Sequence, residues 1–423
     1  MAIKRVTFRL YPNKAQNEKM HYWRRLHKDL YNACISDRKE QYKRLGKNVT
    51  YFDQQNILPE FKQVWVEYKE LGSHALQATV KRVDFAFQRF FKLKSGYPKF
   101  KSARYYKGWT YPCKAGWKAD TQGKHGTLKI SNLGEIKMRG QARDWGTPKT
   151  CTIMYKQGKW YASITVDCIP TRYQTDKGVI GLDFGVNDAI ADSHGNFVEN
   201  PRFLKTTQEK IKHIAKKARR KRNPRRGVKP SRRYKKVAKA IGKIQSKVAR
   251  QRHNWHHKVS VDIVSRNSFI GTEQLNIKGM TKKAKKGSKR KKQKTGLNRS
   301  ILDVGIGELK SMIAYKVTEA GGMYIEIPTR KVKPSQTCPK CGHQKKKSLS
   351  ERVHKCENCG FTTNRDTAAA MVIENYIRGM ERASLDAESS SSTECGSMRQ
   401  LGAKKQMSAK KRQKQQSQSS GLL

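Results

Sequence analysis

One apolar run with a carboxylate inside it constrains this chain most: Gly178-Val179-Ile180-Gly181-Leu182-Asp183-Phe184-Gly185-Val186. Its length, its bounding glycines and its β-branched residues predict a buried strand. Leaving an unpaired carboxylate in such a strand is costly, because a desolvated charge loses its water without gaining a partner. Gly185, close by, leaves room for something to approach the backbone. Two readings follow. Asp183 is a strand-end aspartate that caps a turn, or it faces a metal ion or a basic partner; the local pattern weighs them equally.

The charge balance bears on that choice. The 423 residues carry 92 Lys and Arg against 33 Asp and Glu, a formal net charge of +59. A chain this cationic repels itself unless a polyanion neutralises it, which points to nucleic acid as partner and to salt-dependent binding. Not one acidic residue lies between Glu209 and Asp262, where long helical stretches broken at Asn223-Pro224 and Lys229-Pro230 are expected. Such a stretch suits the tracking of a phosphate backbone. No apolar stretch approaches the ~20 residues of a membrane span, and the N-terminus lacks a signal-peptide core. A cytoplasmic, prokaryotic protein that joins the nucleoid when bound to DNA is the expectation.

Taken in order, residues 4–10 alternate, with Val6, Phe8 and Leu10 on one face, as in a half-buried strand. Helical periodicity follows Pro12-Asn13 (Met20, Trp23, Leu26, Leu30), and resumes after Ser73, a potential N-cap, with Leu76, Val80, Val83, Phe87 and Phe90. Residues 14–95 therefore read as a helical insertion after one strand. From Gly96 to about 175 the pattern is β, with a hairpin from Thr150 to Cys168 turning at Gln157-Gly158. Aromatic and basic residues interleave at Arg104, Tyr105, Tyr106, Lys107, Trp109 and Tyr111, which fits either nucleic-acid contact or sheet packing. The opening strand and Asp188–Asp192 predict an antiparallel hairpin. A further strand reads Ser268–Leu275 with Glu273 toward its end, residues 278–298 read as a mobile basic loop, and a helix over 303–320 precedes the strand Met323–Ile327.

Of nine cysteines, Cys34, Cys113, Cys151, Cys168 and Cys395 are scattered. The other four form Cys338-Pro339-Lys340-Cys341-Gly342 and Cys356-Glu357-Asn358-Cys359-Gly360. Two Cys-x-x-Cys knuckles, each followed by glycine, predict one structural Zn²⁺ held by four thiolates, with His343 and His354 as bystanders. Asn364-Arg365-Asp366 then opens a helix to about Arg382, and residues 384–423 read as a disordered basic tail. Asp183, Glu273 and Asp366 stand out as the acids of this basic half. Metal-assisted phosphodiester cleavage needs several carboxylates at one point, and the order of these three permits that.

The ordered set Gly181-Leu182-Asp183-Phe184-Gly185, Ile270-Gly271-Thr272-Glu273-Gln274-Leu275, the two knuckles and Asn364-Arg365-Asp366 resembles the TnpB family. Arg9-Leu10-Tyr11-Pro12-Asn13 and Gly96-Tyr97-Pro98-Lys99-Phe100 fit the same pattern, so the resemblance covers roughly residues 1–380. TnpB proteins are insertion-sequence-associated, RNA-guided DNA endonucleases related to compact type V CRISPR effectors. The resemblance implies a multidomain α+β and α/β chain: an N-terminal wedge β-barrel (1–13 and 96–176) interrupted by a helical recognition domain (14–95), and a C-terminal RuvC nuclease domain of RNase H-like fold (177–332 and 363–383) with an inserted zinc ribbon (333–362). It implies Asp183, Glu273 and Asp366 as catalytic ligands of two Mg²⁺ ions, and Cys338, Cys341, Cys356 and Cys359 as zinc ligands. The implied partners are a non-coding guide RNA from the element's end and a double-stranded DNA target beside a short motif, with one protein copy per guide. The family's usual Asp-Arg-Asp-x-Asn-Ala-Ala reads here Asn364-Arg365-Asp366-Thr367-Ala368-Ala369-Ala370, and a tryptophan frequent near Ile306 is absent. The alternatives are an RNA-guided DNA-binding protein or repressor with weak or no cleavage, a compact type V CRISPR effector, and a guide-independent zinc-ribbon DNA-binding protein.

Overall fold

The structure is a computed structural model and describes residues 2–93, 95–169, 178–221, 228–285, 287–348 and 351–390, with side chains to 379. Two compact units divide the chain, one of residues 1–173 and 209–247, the other of 174–208 and 248–423. Most of the acid-free segment therefore groups with the first unit, although the sequence reading joins it to the nuclease half.

In the first unit β1 (Ala2–Tyr11) buries Phe8 and Leu10 as its alternation predicts. Asn13 caps α1 (Lys14–Leu45): its side chain accepts from the Gln16 N–H at 2.8 Å, and the Gln16 side chain accepts from the Asn13 N–H at 3.0 Å. α2 (Tyr51–Asn56), α3 (Leu58–Val64) and α4 (Ser73–Leu93) complete the helical excursion. Gly72, not Ser73, opens α4: its carbonyl accepts from the Leu76 N–H at 3.1 Å, while the Ser73 hydroxyl accepts from Lys62 Nζ at 3.2 Å. Then come β2 (Gly108–Tyr111), β3 (Trp117–Asp120), β4 (Lys124–Ile130), β5 (Gly134–Gln141), β6 (Thr147–Lys156) and β7 (Lys159–Cys168). They join β1 in an antiparallel sheet of order β2-β6-β7-β1-β5-β4-β3. Among the described residues the edge strands β2 and β3 are not hydrogen-bonded to each other, so the expected barrel is a half-barrel sheet left open along that edge. The β6–β7 turn falls at Gln157-Gly158, both with positive φ, the geometry that matches strand twist. Of the interleaved aromatics, Tyr106, Trp109 and Tyr111 are core residues and Tyr105 is exposed. Trp109 meets Trp23, His27 and Trp160 edge-on or stacked, locking helices onto sheet.

The second unit is built on β8 (Gly178–Asp183), β9 (Asp188–Asp192) and β10 (Phe197–Glu199), followed along the chain by α5 (Phe203–Arg219) and α6 (Arg232–Arg266). The expected break at Asn223-Pro224 lies outside the described residues. β11 (Asn267–Glu273), α7 (Ile277–Met280), α8 (Lys291–Val304), α9 (Ile306–Glu319), β12 (Met323–Ile327), α10 (Thr329–Val332), β13 (Val353–Lys355), β14 (Thr362–Asn364) and α11 (Arg365–Ser390) complete it. Part of the basic segment expected as a loop is thus helical, over 278–280 and 291–298. The helix expected over 303–320 is two helices, broken at Gly305, whose φ of 72° is left-handed. α11 continues past the expected end at about Arg382; residues 391–423 of the expected tail lie outside the described residues.

The five strands order as β10-β9-β8-β11-β12. β8, β11 and β12 are mutually parallel, and β9 is antiparallel to both its neighbours. α11 crosses this sheet at touching distance because two strand positions lack side chains. A Cβ on Gly181 would meet the Ala370 carbonyl oxygen at 2.0 Å, and one on Gly271 would meet Ile377 Cδ1 at 2.0 Å. Val179, Ile327, Ile373 and Ile377 pack in the layer so formed. Gly181→Ala should therefore push α11 off β8 and cost about 1–3 kcal/mol, the usual penalty of overpacking; a thermal melt equal to that of the parent protein would contradict this contact.

Candidate active site and cysteine cluster

Parallel register puts two of the three singled-out acids side by side. Thr272 of β11 pairs with Leu182 of β8, so Glu273 and Asp183 follow one another off the same carboxyl ends. Asp366 arrives from a different direction. It lies in the first turn of α11, four residues before Ala370, the residue held against Gly181. Asn364 caps that helix by accepting the Asp366 N–H at 2.9 Å. Asp183 and Asp366 line one cleft together with Phe184–Asp188, Leu297 and Arg352. The close approach at Gly185 is made by the chain itself: a Cβ there would meet the Asp188 carbonyl at 2.5 Å, inside the turn from β8 to β9.

The Asp183 carboxyl senses the other two acids. Burial, then the charges of Glu273 and Asp366, pushes the Asp183 carboxyl up to about 7, against a weaker opposing pull from Arg365. Burial also raises Glu273, and Lys310 works against that rise. Lys310 is a buried lysine of α9 whose Nζ donates to the Glu273 carbonyl and pairs with Glu326 at 3.0 Å. It occupies the apolar stripe of Ile306, Leu309, Ile313 and Val317, and a lysine in that stripe was the sequence signal for it. Arg352, the residue before β13, brings a guanidinium to the cleft; nothing in its local sequence singles it out. Ala368, where the family usually carries asparagine, is buried in the first turns of α11.

The four knuckle cysteines come together. Their sulfurs all lie within 4.8 Å of one another, with Cys338 3.7 Å from Cys359 and Cys341 3.5 Å from Cys356. Each knuckle closes in the same way. The Gly342 N–H donates to the Cys338 carbonyl and the Gly360 N–H to the Cys356 carbonyl, both at 3.0 Å, with left-handed φ at each glycine. That is the spacing of a tetrahedral thiolate site for one metal ion. His343 and His354 are outside the cluster; His354 is buried and its Nδ1 meets Lys347 Nζ. The knuckles are tied to α11: Asn375 donates to the Pro339 carbonyl at 2.8 Å, and Arg365 donates to the Ser348 carbonyl at 2.6 Å.

The chain is similar to several known proteins. The family described as "Probable transposase" (OrfB_IS605) matches residues 153–284, the "Cas12f1-like, TNB domain" matches 307–373, and a "Helix-turn-helix domain" of OrfB_IS605 proteins matches 1–47, which fold here as β1 and α1. The chain is 28% identical over 373 residues to "Putative RNA-guided DNA endonuclease InsQ" of Escherichia coli (strain K12), covering 86% of this chain and 89% of that protein. The chain is a TnpB-family relative of the type V effectors. A Streptomyces pristinaespiralis protein named "Putative RNA-guided DNA endonuclease" is 24% identical, over 86% of each. "TnpB-like protein L79" of Acanthamoeba polyphaga mimivirus is 24% identical over 52% of this TnpB-family chain and 42% of its own length. Among the described residues, no helix is long and apolar enough to cross a membrane.

The raised Asp183 carboxyl has a stability signature. Between about pH 4 and 7 the folded chain keeps a proton that the unfolded chain, with its ordinary aspartate pKa near 3.9, has released. Stability of the magnesium-free protein therefore falls as pH rises through that window, and the full deficit is present above it. Asp183→Asn should stabilise the magnesium-free protein by roughly 1–3 kcal/mol at about pH 8 and by almost nothing near pH 4. Denaturant melts at both pH values check this; an equal effect at both would contradict the shared charge.

Proposed function

We propose that this TnpB-family protein is an insertion-sequence-associated, RNA-guided DNA endonuclease, with the second unit as its RuvC nuclease domain of RNase H-like fold. The observation that carries the reading is the meeting of Asp183, Glu273 and Asp366 at the carboxyl ends of two parallel strands and the start of one helix. The mixed sheet with a single antiparallel strand, β9, supports the fold assignment.

The three carboxylates suit a pair of Mg²⁺ ions: they are hard oxygen donors, and the mutual repulsion that raises Asp183 is the kind a divalent cation relieves. Such ions, when bound, activate the attacking water and stabilise the leaving oxygen of a phosphodiester. The chain's own part is to hold the donors. Gly181 lets α11 lie against β8, Asn364 fixes the first turn of α11, and Lys310 holds the Glu273 backbone. Arg352 faces the scissile phosphate and offsets its charge. The four cysteines hold one structural Zn²⁺ that, through Asn375 and Arg365, steadies the start of α11.

A guide RNA and a double-stranded DNA target are the partners, one protein copy per guide, in a prokaryotic cytoplasm. Base pairing to the guide selects the sequence while the protein reads helical shape and a short adjacent motif. The cationic α5 and α6, with no acid between Glu209 and Asp262, supply backbone charge neutralisation, so guide binding should weaken steeply with added salt.

RNA that copurifies with the protein should be dominated by one species carrying the end of the element. With that RNA, Mg²⁺ and a matched target, the protein should cut both strands. Asp183→Ala or Glu273→Ala should lower the rate by at least ~10³-fold, the scale expected when electrostatic stabilisation of the transition state is removed, while target binding survives. Cleavage by the Asp183→Ala ribonucleoprotein would overturn the site. Guided binding without any cleavage by the parent protein would instead favour a repressor.

A further inference from the structure

α6 and α9 carry a second cluster of metal-seeking groups, made of residues other than the three acids and the cysteines. His253 and His257 stand one helical turn apart on α6, so both imidazoles project from one face. Their Nε2 atoms are 3.2 Å apart, and their rings are 4.6 Å apart at 88° to each other. On α9, Glu308 accepts from His253 Nδ1 at 2.7 Å. In the neutral imidazole this places the proton on Nδ1 and leaves a lone pair on Nε2, directed at His257.

That is the outer arrangement of a metal-binding histidine: one ring nitrogen donates to a carboxylate, and the other is free to ligate. The separation also fits. Two metal–nitrogen bonds of about 2.0–2.1 Å at a tetrahedral angle span about 3.3 Å between the nitrogens. His256, between the two in sequence, is turned inward and buried, with Nε2 donating to the Val304 carbonyl at 2.7 Å, so it belongs to the core and not to the pair. Lys316 fixes the turn beneath: its Nζ donates to the His257 carbonyl at 2.9 Å and to Ser260 Oγ at 2.7 Å. The backbone under the pair is held in place before any ion arrives.

We propose that His253 and His257 form a bidentate site for a divalent late first-row transition ion, with Glu308 as the positioning residue for His253. Neutral imidazole suits Zn²⁺, Ni²⁺ and Cu²⁺, and disfavours Mg²⁺, which seeks oxygen. Its remaining coordination positions face solvent, because His253 is exposed and His257 half-buried. The ion bridges one turn of α6 and, through Glu308, braces that turn against α9.

The test is calorimetric titration of Ni²⁺ into the full-length, zinc-loaded protein in Mg²⁺-containing buffer. One Ni²⁺ equivalent should bind. His253→Ala and His257→Ala should each weaken that binding at least about tenfold, and Glu308→Gln should weaken it about tenfold, the loss typical of an outer-shell partner. Copper(II) electron paramagnetic resonance should show nitrogen splitting that falls from two nitrogens to one in either histidine variant. His253 is exposed, so its variant folds and carries the test alone if His257→Ala does not. The proposal is overturned if the parent protein binds no Ni²⁺ at millimolar concentration, or if binding and splitting are unchanged in His253→Ala.

Discussion

The crowding of Asp183 by the Glu273 and Asp366 carboxylates is the interaction on which the rest of the second unit depends. Carboxylates in a low-dielectric setting repel one another and lose hydration, and Asp183 shows the result in its raised carboxyl. The fold supports this arrangement by rigidity. Asp183 and Glu273 are fixed by adjacent parallel strands, whose hydrogen bonds do not yield to side-chain repulsion. Asp366 is fixed by a helix pressed onto the same strands where Gly181 and Gly271 leave no side chain in the way. The ribbon hairpin β13–β14 leads directly into that helix, and side-chain bonds from Asn375 and Arg365 tie it there. A metal held by the cysteines would stiffen the element that carries Asp366.

Much of this was legible in the sequence. Glycine at 342 and 360 announced left-handed knuckle closures, and both adopt them. Gln157-Gly158 announced a two-residue hairpin turn, and the strands reverse there. The run around Asp183 announced a buried strand, and alternation announced the inward face of β1. In each case a local steric or periodic rule was enough. The meeting of the three acids was not legible, because it depends on register between strands some ninety residues apart in the chain and on where α11 lands. At Gly185 the group that approaches the backbone is local, the Asp188 carbonyl in a tight turn of the same chain.

Other departures have physical causes too. Gly305 in a left-handed conformation starts α9 at Ile306, three residues after the expected start, and Asp303 before it accepts both the Leu204 N–H and the Arg252 guanidinium. The basic segment after Met280 turns helical at Lys291, since lysine, arginine and glutamine are good helix formers whatever their charge. Lys310 escaped notice because charge patterning suggests solvent, whereas a long aliphatic stem can reach a buried carbonyl. In the first unit, aromatic residues that suggested base stacking fill the contact between helices and sheet, leaving Tyr105 exposed.

The account turns on whether Asp183, Glu273 and Asp366 define one metal-holding point. Anomalous X-ray scattering from crystals of the protein grown with Mn²⁺, an ion of the same oxygen-seeking class as Mg²⁺, measures this directly. The account predicts density between these three carboxylates that disappears in Asp183→Asn crystals. Manganese bound elsewhere, with the three carboxylates unoccupied at saturating Mn²⁺, would contradict it.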